Sequence, residues 1–391
     1  MKIESVDFFY LAMPEIHAIG DGSQDALLVR LRTDSQEGWG ECEASPLVTM
    51  AAWNCPMSHS ACKPLSASIL GQPLRDVRDI RRIHERVGEQ SLDLLQSDHL
   101  LSGIDIAMWD LLGKQLETPI YRLLGFDRSF AKLPYASGLF GETPQETLEK
   151  ARDMGGSGFR AAKFGWGPYG RGTVDEDREQ VHAAREGLGK DATLLIDAGT
   201  VWGDDLALAR QRLPALKEAR VAWLEEPFIS AALGAYRELS SLSHPLSLAG
   251  GEGCHQSHQA YNMIDFGKLG YIQIDTGRIG GITSAFQVAQ YARERGVAYV
   301  NHTFTSHLAL SASIQPYAGH AEDQLCEYPV EATPLARELT RTSIRLDGDG
   351  MVCLPEAPGL GLEPDLEIIR RYKREVEIRV DGNLVQQTGT L

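Results

Sequence analysis

The sequence is short of basic residues, and this shortage limits the partners that the chain can bind. Its 38 Lys and Arg residues face 54 Asp and Glu residues, which leaves a formal net charge of −16. Such an excess of acid argues against nucleic acid or an anionic membrane surface as a partner. An anionic small-molecule substrate stays open, because a bound metal ion can reverse the local electric field.

Long apolar runs and paired cysteines are also missing from the sequence. No apolar stretch approaches the roughly 20 residues that a membrane helix needs, and the N-terminus lacks the apolar centre of a signal peptide. The six cysteines are scattered, with no Cys-x-x-Cys pair. We therefore expect reduced thiols in a cytoplasmic protein that does not associate with a membrane.

The length and the apolar content predict a folded chain with more than one domain. The chain has 391 residues, of which 43% are apolar, so a sizeable core is expected. The first residues predict strands joined by a polar loop, and residues 75–124 predict helices. We place an N-terminal α+β domain at 1–126 and a second domain at 127–342. The tail at 343–391 is rich in Gly and Pro and is expected to pack back on the first domain.

The second domain alternates short apolar runs with longer helical patterns, which is typical of β-α units around a parallel sheet. Eight such units in about 200 residues favour a closed barrel of β-α units, of the TIM type, over an open sheet. The predicted strands are LPYASG, FRAAKFG, ATLLIDAG, VAWLEEP, PLSLAGGEG, YIQIDTG, VAYVNH and QLCEYP.

Ionisable residues stand at the ends of seven of these runs, 23 to 34 positions apart, which is about one β-α unit. Parallel strands that are buried on both faces are normally apolar, so the repeated ionisable endings need a shared cause. The carboxyl ends of barrel strands meet at one rim, where the active sites of such barrels lie. The residues are Lys163, Asp197, Glu225, Glu252, Asp275, His302 and Glu327.

Asp197, Glu225 and Glu252 are carboxylates on consecutive strand ends, and together they would raise one another's pKa. A hard divalent cation with oxygen ligands removes this conflict, and Mg²⁺ suits the site. The alternative reading, a helix cap or a solvated loop residue, explains one acid better than three in succession. Glu226 should face outward or pair with a cation, because adjacent strand residues point to opposite faces.

His302 lies one β-α unit after Asp275, so the two side chains are expected to be neighbours at the rim. A carboxylate beside an imidazole fixes its tautomer and raises its pKa, which makes a general base or acid. A structural role is the alternative for a strand-end histidine taken alone. Lys163 suits a substrate carboxylate or a proton transfer, and its alternative is a salt bridge to a rim acid.

These segments resemble the enolase superfamily, in its mandelate racemase-like branch. The similar segments cover nearly the whole chain and include SGIDIAMWDLLGKQLETPIYRLLG, GFRAAK, LLIDAG, WLEEP, GGEG, IDTGRIGGIT, NHTFTSH, CEYP and PEAPGLG. The resemblance implies a homo-oligomer with an α+β capping domain over a (β/α)₇β barrel. It also implies Mg²⁺ ligands, a proton-transfer dyad and an acid near the substrate carboxylate, which are respectively Asp197 with Glu225 and Glu252, Asp275 with His302, and Glu327.

Two positions depart from the pattern of that branch. Many members carry Lys-x-Lys at the end of the second barrel strand, and their second lysine is a base opposite the histidine; here that position is Gly165. The usual Asp-x-Asn after the third strand is here Asp197-Ala198-Gly199. A racemase needs proton donors on both faces of its substrate, whereas a dehydratase can use one histidine for the α-proton and for the leaving hydroxyl.

These features favour a Mg²⁺-dependent acid-sugar dehydratase, a hydro-lyase that converts an aldonate or an aldarate to a 2-keto-3-deoxy acid. Mg²⁺ and Lys163 would bind the substrate carboxylate, and His302 would act at C2 or C3. The alternatives are a racemase or epimerase that recruits another base, and an inactive barrel that serves as a scaffold. Candidate substrate contacts lie on loops that are expected to close over the site, at His17, Trp53, Trp166 and Arg171. A solvated loop is the alternative for Trp166 and Arg171.

Overall fold

The computed structural model describes residues 1–43 and 45–391. Its strands are β1 Ser5–Ala12, β2 Asp25–Arg32, β3 Glu37–Cys42, β4 Leu133–Leu139, β5 Ala161–Gly165, β6 Thr193–Asp197, β7 Val221–Glu225, β8 Ser247–Gly250, β9 Tyr271–Asp275, β10 Ala298–His302, β11 Leu325–Pro329, β12 Glu377–Val380 and β13 Asn383–Gln387. Its α-helices are α1 Pro46–Asn54, α2 Ser66–Ile69, α3 Val77–Gln90, α4 Ser97–Gln115, α5 Ile120–Leu123, α6 Pro144–Gly156, α7 Val174–Leu188, α8 Leu206–Glu218, α9 Leu233–Ser243, α10 Ser257–Asn262, α11 Gly281–Glu294, α12 His307–Ile314, α13 Pro334–Glu338 and α14 Leu366–Tyr372. Within the described residues, none of these helices combines the length and the apolar character that a membrane crossing requires.

The N-terminal strands form an antiparallel sheet in the order β1–β2–β3, and α4 lies directly on β3. The approach is so close that a Cβ at Gly38 or Gly40 would overlap backbone oxygens of α4. Glycine is therefore required at both positions. Most of α4 is buried, as its apolar sequence predicts. Trp109 on this helix donates a hydrogen bond to Thr283 of α11 (3.0 Å), which joins the capping layer to the barrel.

Strands β4 to β11 form one parallel sheet with the seven helices α6 to α12 between them, so the prediction of a TIM-type (β/α)₇β barrel under an α+β cap is confirmed. β10 and β11 also meet, where the backbone N–H of Glu327 donates to Asn301 Oδ1 (3.0 Å). An apolar layer fills the barrel interior, so the polar strand ends are held above it at the carboxyl end. This layer consists of Tyr135, Ala161, Leu195, Trp223, Ala249 and Val300.

The chain after the barrel returns to the capping sheet. The backbone N–H of Gly389 donates to the Phe8 carbonyl (2.7 Å), and Arg30 donates to the Thr390 carbonyl (2.7 Å). The Gly/Pro-rich sequence of the tail did not predict α14 or the β12–β13 hairpin, because elements this short leave little periodic signal. The short α13, which precedes the tail, was not predicted for the same reason. The domain boundaries after residues 126 and 342 stay a prediction.

Candidate active site

The ionisable strand ends meet beside a cavity of about 270 Å³ at the carboxyl end of the barrel, which we call the mouth. Both domains contribute to its walls. The barrel supplies the charged groups on one side, and a capping loop covers them. The main lining residues are Lys163, Asp197, Glu252, Arg278 and His302 from the barrel, and Ile19, Gly20, Asp21, Gly22 and Glu43 from the cap.

His302 and Asp275 are in contact because the parallel register of β10 and β9 places them side by side. His302 Nδ1 lies 2.7 Å from Asp275 Oδ2, and the backbone N–H of Gly277 donates to Asp275 Oδ1 (2.7 Å). A carboxylate held in this way fixes the imidazole tautomer with the proton on Nδ1. Nε2 is then the nitrogen that faces the cavity, 3.1 Å from Glu252 Oε2.

The electrostatic surroundings of His302 favour its protonated form. Burial lowers the pKa of this imidazole, but the nearby carboxylates of Glu252 and Glu327 and the hydrogen bond to Asp275 outweigh burial and raise the pKa to about 10. The same contact acts in reverse on Glu252. Burial raises the pKa of Glu252, while His302 and Arg278 lower it to about 2. The imidazole is thus placed to hold a proton at the mouth.

Lys163 is buried among three carboxylates. Its Nζ lies 2.6 Å from Glu225 Oε1, 2.8 Å from Glu327 Oε1 and 3.9 Å from Asp197 Oδ2. Burial opposes the charge on this lysine, but Glu225 and Glu327 keep its pKa well above the ordinary value. Lys163 also lines the cavity. It is therefore a permanent positive charge at the floor of the site.

The carboxylates at the mouth exceed the positive charge available to them. Burial raises the pKa of Asp197 to about 6, with Lys163 opposing this shift and Glu252 adding to it. Burial likewise raises the pKa of Glu225 to about 8, with Lys163 opposing and Asp197 adding. Oxygen-rich groups in such an arrangement match the ligand preference of Mg²⁺.

The three predicted ligands are of the type that Mg²⁺ prefers, but their side chains are not arranged around a common point in this structure. Within residues 1–43 and 45–391, no three His, Cys, Asp or Glu side chains are grouped as a metal cage. Asp197 and Glu252 line the cavity, whereas Glu225 contacts Lys163 and accepts a hydrogen bond from Trp223 Nε1 (3.1 Å). Ligation of one metal ion by all three would require Glu225 to turn away from Lys163 and Trp223. Glu252 would likewise have to turn away from His302 and Arg278.

The prediction for Glu226 is wrong. This residue neither faces outward nor pairs with a cation: it is buried, and its Oε1 finds no hydrogen-bond partner in the described part of the chain. Burial, and then the charges of Glu252 and Asp197, raise its pKa well above the ordinary value. The cause is local. The backbone at Glu226 is left-handed (φ 38°), so the strand alternation on which the prediction relied ends at Glu225. An orphaned buried carboxyl oxygen adds to the case for a cation nearby.

Glu327 lies beneath the cavity rather than beside it. Ser137 donates to Oε1 (2.7 Å), Lys163 contacts the same oxygen, and the backbone N–H of Thr303 donates to Oε2 (2.7 Å). Both oxygens are therefore engaged, and the residue does not line the mouth. In the structure Glu327 holds Lys163 by an ion pair, and its expected contact with a substrate carboxylate stays a prediction.

Of the four predicted substrate contacts, the structure brings only Trp166 to the cavity. His17 and Arg171 are exposed and lie outside the lining, although the loop that carries His17 does contribute residues 19–22. Trp53 is corrected, because its segment folds as α1 and turns the indole into the capping core, edge-on to Phe8 (centroids 5.5 Å apart). Helical folding of that segment removed it from the site.

The sequence reasoning missed Arg278 and Glu43. Arg278 Nε donates to Glu43 Oε2, and its Nη1 lies 3.4 Å from Glu252 Oε1. The guanidinium thus links the capping domain to a rim carboxylate. Its position three residues after Asp275, inside the segment IDTGRIGGIT, was the signal that could have identified it. Glu43 carries no comparable signal, because a capping strand ends there without a repeat to mark it.

Comparison with known proteins agrees with this geometry. Residues 11–125 match the family "Mandelate racemase / muconate lactonizing enzyme, N-terminal domain", and residues 146–368 match "Enolase C-terminal domain-like". The chain is 28% identical to the D-galactarolactone cycloisomerase of Agrobacterium fabrum, over 87% of this chain and 89% of that one. It is 26% identical to the arabinonate dehydratase of Saccharolobus solfataricus, over 70% of this chain and 72% of that one.

A solved structure is still more similar. The crystal structure of a predicted mandelate racemase from Rhodobacter sphaeroides superposes with a TM-score of 0.96 at 53% sequence identity, and the match covers 100% of both chains. The two family matches together span both the cap and the barrel. The chain therefore belongs to the mandelate racemase and muconate lactonizing enzyme family of the enolase superfamily.

Proposed function

We propose that this chain is a Mg²⁺-dependent acid-sugar dehydratase that forms a 2-keto-3-deoxy acid from an aldonate or an aldarate. One observation carries the proposal. The His302–Asp275 dyad (2.7 Å) faces the cavity, while the position of the second base holds Gly165. A single base on one face supports elimination, whereas inversion at the α-carbon needs a donor on each face. The dehydratase among the relatives also supports the proposal.

Asp197, Glu225 and Glu252 would hold the metal ion, and the surplus of buried carboxylate around them supports this assignment. When bound, Mg²⁺ would supply positive charge that stabilises the enediolate developing on the substrate carboxylate. Lys163 provides a fixed second positive charge on the same side of the cavity. Its ion pair with Glu327 (2.8 Å) holds the ammonium in place before substrate arrives, also when Glu225 turns to the metal ion, so little reorganisation is needed during the reaction.

His302 would carry both proton transfers. Glu252 is the carboxylate that most strongly raises the pKa of His302, so the neutral imidazole needed for the first transfer would form once Glu252 turns to the metal ion. Nε2 would accept the proton from C2, and the electron pair of that bond would move onto the substrate carboxylate. The same pair would then form the C2–C3 double bond as the C3–O bond breaks. The imidazolium then gives its proton to the departing hydroxide, which leaves as water, and the enol product tautomerises to the 2-keto acid. Asp275 holds the tautomer and stabilises the imidazolium between the two transfers.

A cycloisomerase is the second candidate, and the cycloisomerase among the relatives favours it. Its reaction would begin with the same removal of the α-proton by His302. The leaving group would be a ring oxygen instead of a hydroxyl, so product and substrate would be isomers. The residues at the mouth serve either reaction, and substrate choice would decide between them.

We also propose a homo-oligomer, as the family resemblance implies. Light scattering at micromolar concentration should give a mass of at least two chains of 42.9 kDa each. A monomer at that concentration would contradict the proposal without affecting the chemistry.

A screen of acid sugars tests the proposed function. Linear aldonates and aldarates, with anhydro and lactone forms as a separate set, are incubated with the protein and Mg²⁺. Formation of a 2-keto-3-deoxy acid from a linear sugar acid is the expected result. Turnover of only cyclic substrates would favour the cycloisomerase. Interconversion of C2 epimers alone would favour a racemase or epimerase, and no turnover of any member would remove the acid-sugar assignment.

A further inference from the structure

The side chain of Trp166 occupies an unusual position at the mouth. Trp166 directly follows β5, lines the cavity and has a left-handed backbone (φ 56°). A bulky residue rarely adopts this conformation, and it persists only where the surroundings enforce it. Although it is a large aromatic residue, it is 40% exposed. Its neighbours explain how the chain holds it there.

Two glycines from different domains make room for the indole. A Cβ at Gly199 would stand 3.0 Å from Cε2 of Trp166, and a Cβ at Gly20 would stand 2.9 Å from Cγ and Cδ2. Gly199 follows β6 of the barrel, while Gly20 belongs to the capping loop. Contacts this short cannot form without displacement of the ring. An asparagine at position 199, the residue usual in the branch, would therefore compete with Trp166 for space.

The position of the second base is closed as well. A Cβ at Gly165 would stand 2.8 Å from Cβ and Oδ2 of Asp197, so a lysine there would push against a predicted metal ligand. In the strand order of the barrel, β5 and β10 are separated by β4 and β11 on one side and by four strands on the other. Trp166 thus stands across the mouth from His302, on the side where other members of the branch carry a base.

We infer that Trp166 is a specificity-determining residue whose indole walls off the substrate face opposite His302. Gly20 and Gly199 are small so that the ring fits, which gives the departure at Gly199 a structural cause. The effect on the reaction rests on the proposed function, whereas the placement of the ring does not. An apolar wall offers no proton to the α-carbon and keeps water from that face. The reaction is thereby confined to the face that His302 serves.

The placement of the ring is tested by comparing Gly199→Asn with Gly203→Asn. Gly203 is a matched control, because it lies in the same loop, has a similar backbone (φ 61° against 54°) and has no described atom within 4 Å of an added Cβ. Acrylamide quenching of Trp166 is measured as the difference between each protein and its own Trp166→Phe version. Because overpacking displaces side chains, Gly199→Asn should raise the quenching constant about twofold, and Gly203→Asn should leave it unchanged. Equal quenching in the two variants would overturn the inference.

The effect on the reaction is tested with the acid sugar that the screen identifies. Gly199→Asn should lower kcat/KM about a hundredfold, since a displacement of about 1 Å can cost that much. In D₂O, Trp166→Ala should release the C2 epimer of unreacted substrate, because water can reach the open face. Unchanged kcat/KM in Gly199→Asn, or no epimer from Trp166→Ala, would overturn the inference that Trp166 shields one face of the substrate.

Should no acid sugar be turned over, the proposed function fails separately, and oxalate with Mg²⁺ becomes the probe of the same cavity. Trp166→Ala should then weaken oxalate binding about tenfold, which is the scale of one lost aromatic contact. Equal oxalate affinity in the wild type and in Trp166→Ala would overturn the inference.

Discussion

Two buried His–Asp pairs lie at opposite ends of the barrel, and only one of them is at the mouth. His302 contacts Asp275 (2.7 Å) at the carboxyl end, and its other nitrogen faces the cavity. His320 contacts Asp323 (2.9 Å) at the amino end, is 1% exposed and has Nε2 within 3.4 Å of Gln290. The same pair of residues therefore serves two purposes. What differs is whether the second nitrogen is open to a substrate or covered by protein.

Two buried lysines repeat the contrast. Lys132 at the amino end donates to three backbone carbonyls at 2.8 to 3.0 Å, near the end of the α12 segment, where a positive charge is favourable. Lys163 at the mouth is held by carboxylates and lines a cavity. Lys132 and His320 at the amino end thus have protein hydrogen-bond partners, while the mouth carries more acid than base. This imbalance distinguishes a catalytic end from a structural one.

Metal removal should give the largest effect, a loss of turnover that arises at the mouth and not at the amino end of the barrel. Dialysis against a chelator should lower turnover by at least about 10³-fold, because a metal ion contributes several kcal/mol to charge stabilisation. Added Mg²⁺ should restore turnover. The thermal unfolding midpoint should rise when Mg²⁺ is added back, because an ion that binds only the folded state stabilises it. Undiminished turnover in a verified metal-free sample would show that the carboxylates do not form a catalytic metal site.

The two histidines give the next largest contrast. His302→Asn should lower kcat per folded molecule by about 10²–10⁴-fold, the usual contribution of a positioned acid or base. His320→Asn should lower the unfolding free energy by about 1–3 kcal/mol, since it disturbs a buried hydrogen bond, and leave kcat per folded molecule unchanged. Chemical denaturation and steady-state kinetics on both variants measure this. Equal loss of kcat in the two variants would mean that the pairs are not functionally distinct.

Substitution of the two buried lysines should give a smaller difference in catalytic effect between the two ends of the barrel. Lys163→Met should lower kcat/KM by about 10²–10³-fold, comparable to the loss of one preorganised donor. Lys132→Met should destabilise the fold by about 1–3 kcal/mol for each carbonyl left without a donor, with kcat/KM retained in the folded fraction. Circular dichroism confirms the fold of each variant before kinetics. A Lys163→Met protein that keeps full kcat/KM would remove this lysine from substrate binding.

The smallest effects are expected from the exposed loop residues. His17→Ala and Arg171→Ala should each change kcat/KM by about twofold or less, because surface substitutions away from a site are usually worth no more than about 0.5 kcal/mol. Both side chains lie outside the cavity lining. Steady-state kinetics with the screened substrate checks this. A loss above tenfold in either variant would show that its loop closes further over the substrate than the structure indicates.

The barrel could be predicted from the sequence because its signal repeats. Seven of the eight barrel strands end in an ionisable residue, so the position of His302 or Asp197 at the rim followed from spacing. The repeat also separates His302 from His320, since only the first ends a strand. Side-chain direction could not be predicted where the backbone leaves the strand pattern, as at Glu226 (φ 38°). Nor could the direction of Trp53, whose segment folds as a helix against the capping sheet.

Contacts between domains were also beyond prediction. Glu43 and Arg278 are 235 positions apart in the chain, and only the packing of cap on barrel joins them. The sequence shows that Gly199 departs from the Asp-x-Asn pattern of the branch, but it does not show the reason. The reason is the indole of Trp166, which lies beside Gly199 in the structure. Sequence reasoning therefore located the chemistry on the strands and missed the groups that shape the cavity from above.

Proton NMR of the reaction in D₂O shows whether His302 alone moves protons and does so on one face of the substrate. We expect formation of keto acid from the screened acid sugar, with no C2 epimer accumulating in the unreacted pool at any time point. Steady formation of the epimer without keto acid would contradict it, since a second proton donor would then have to act across the mouth from His302.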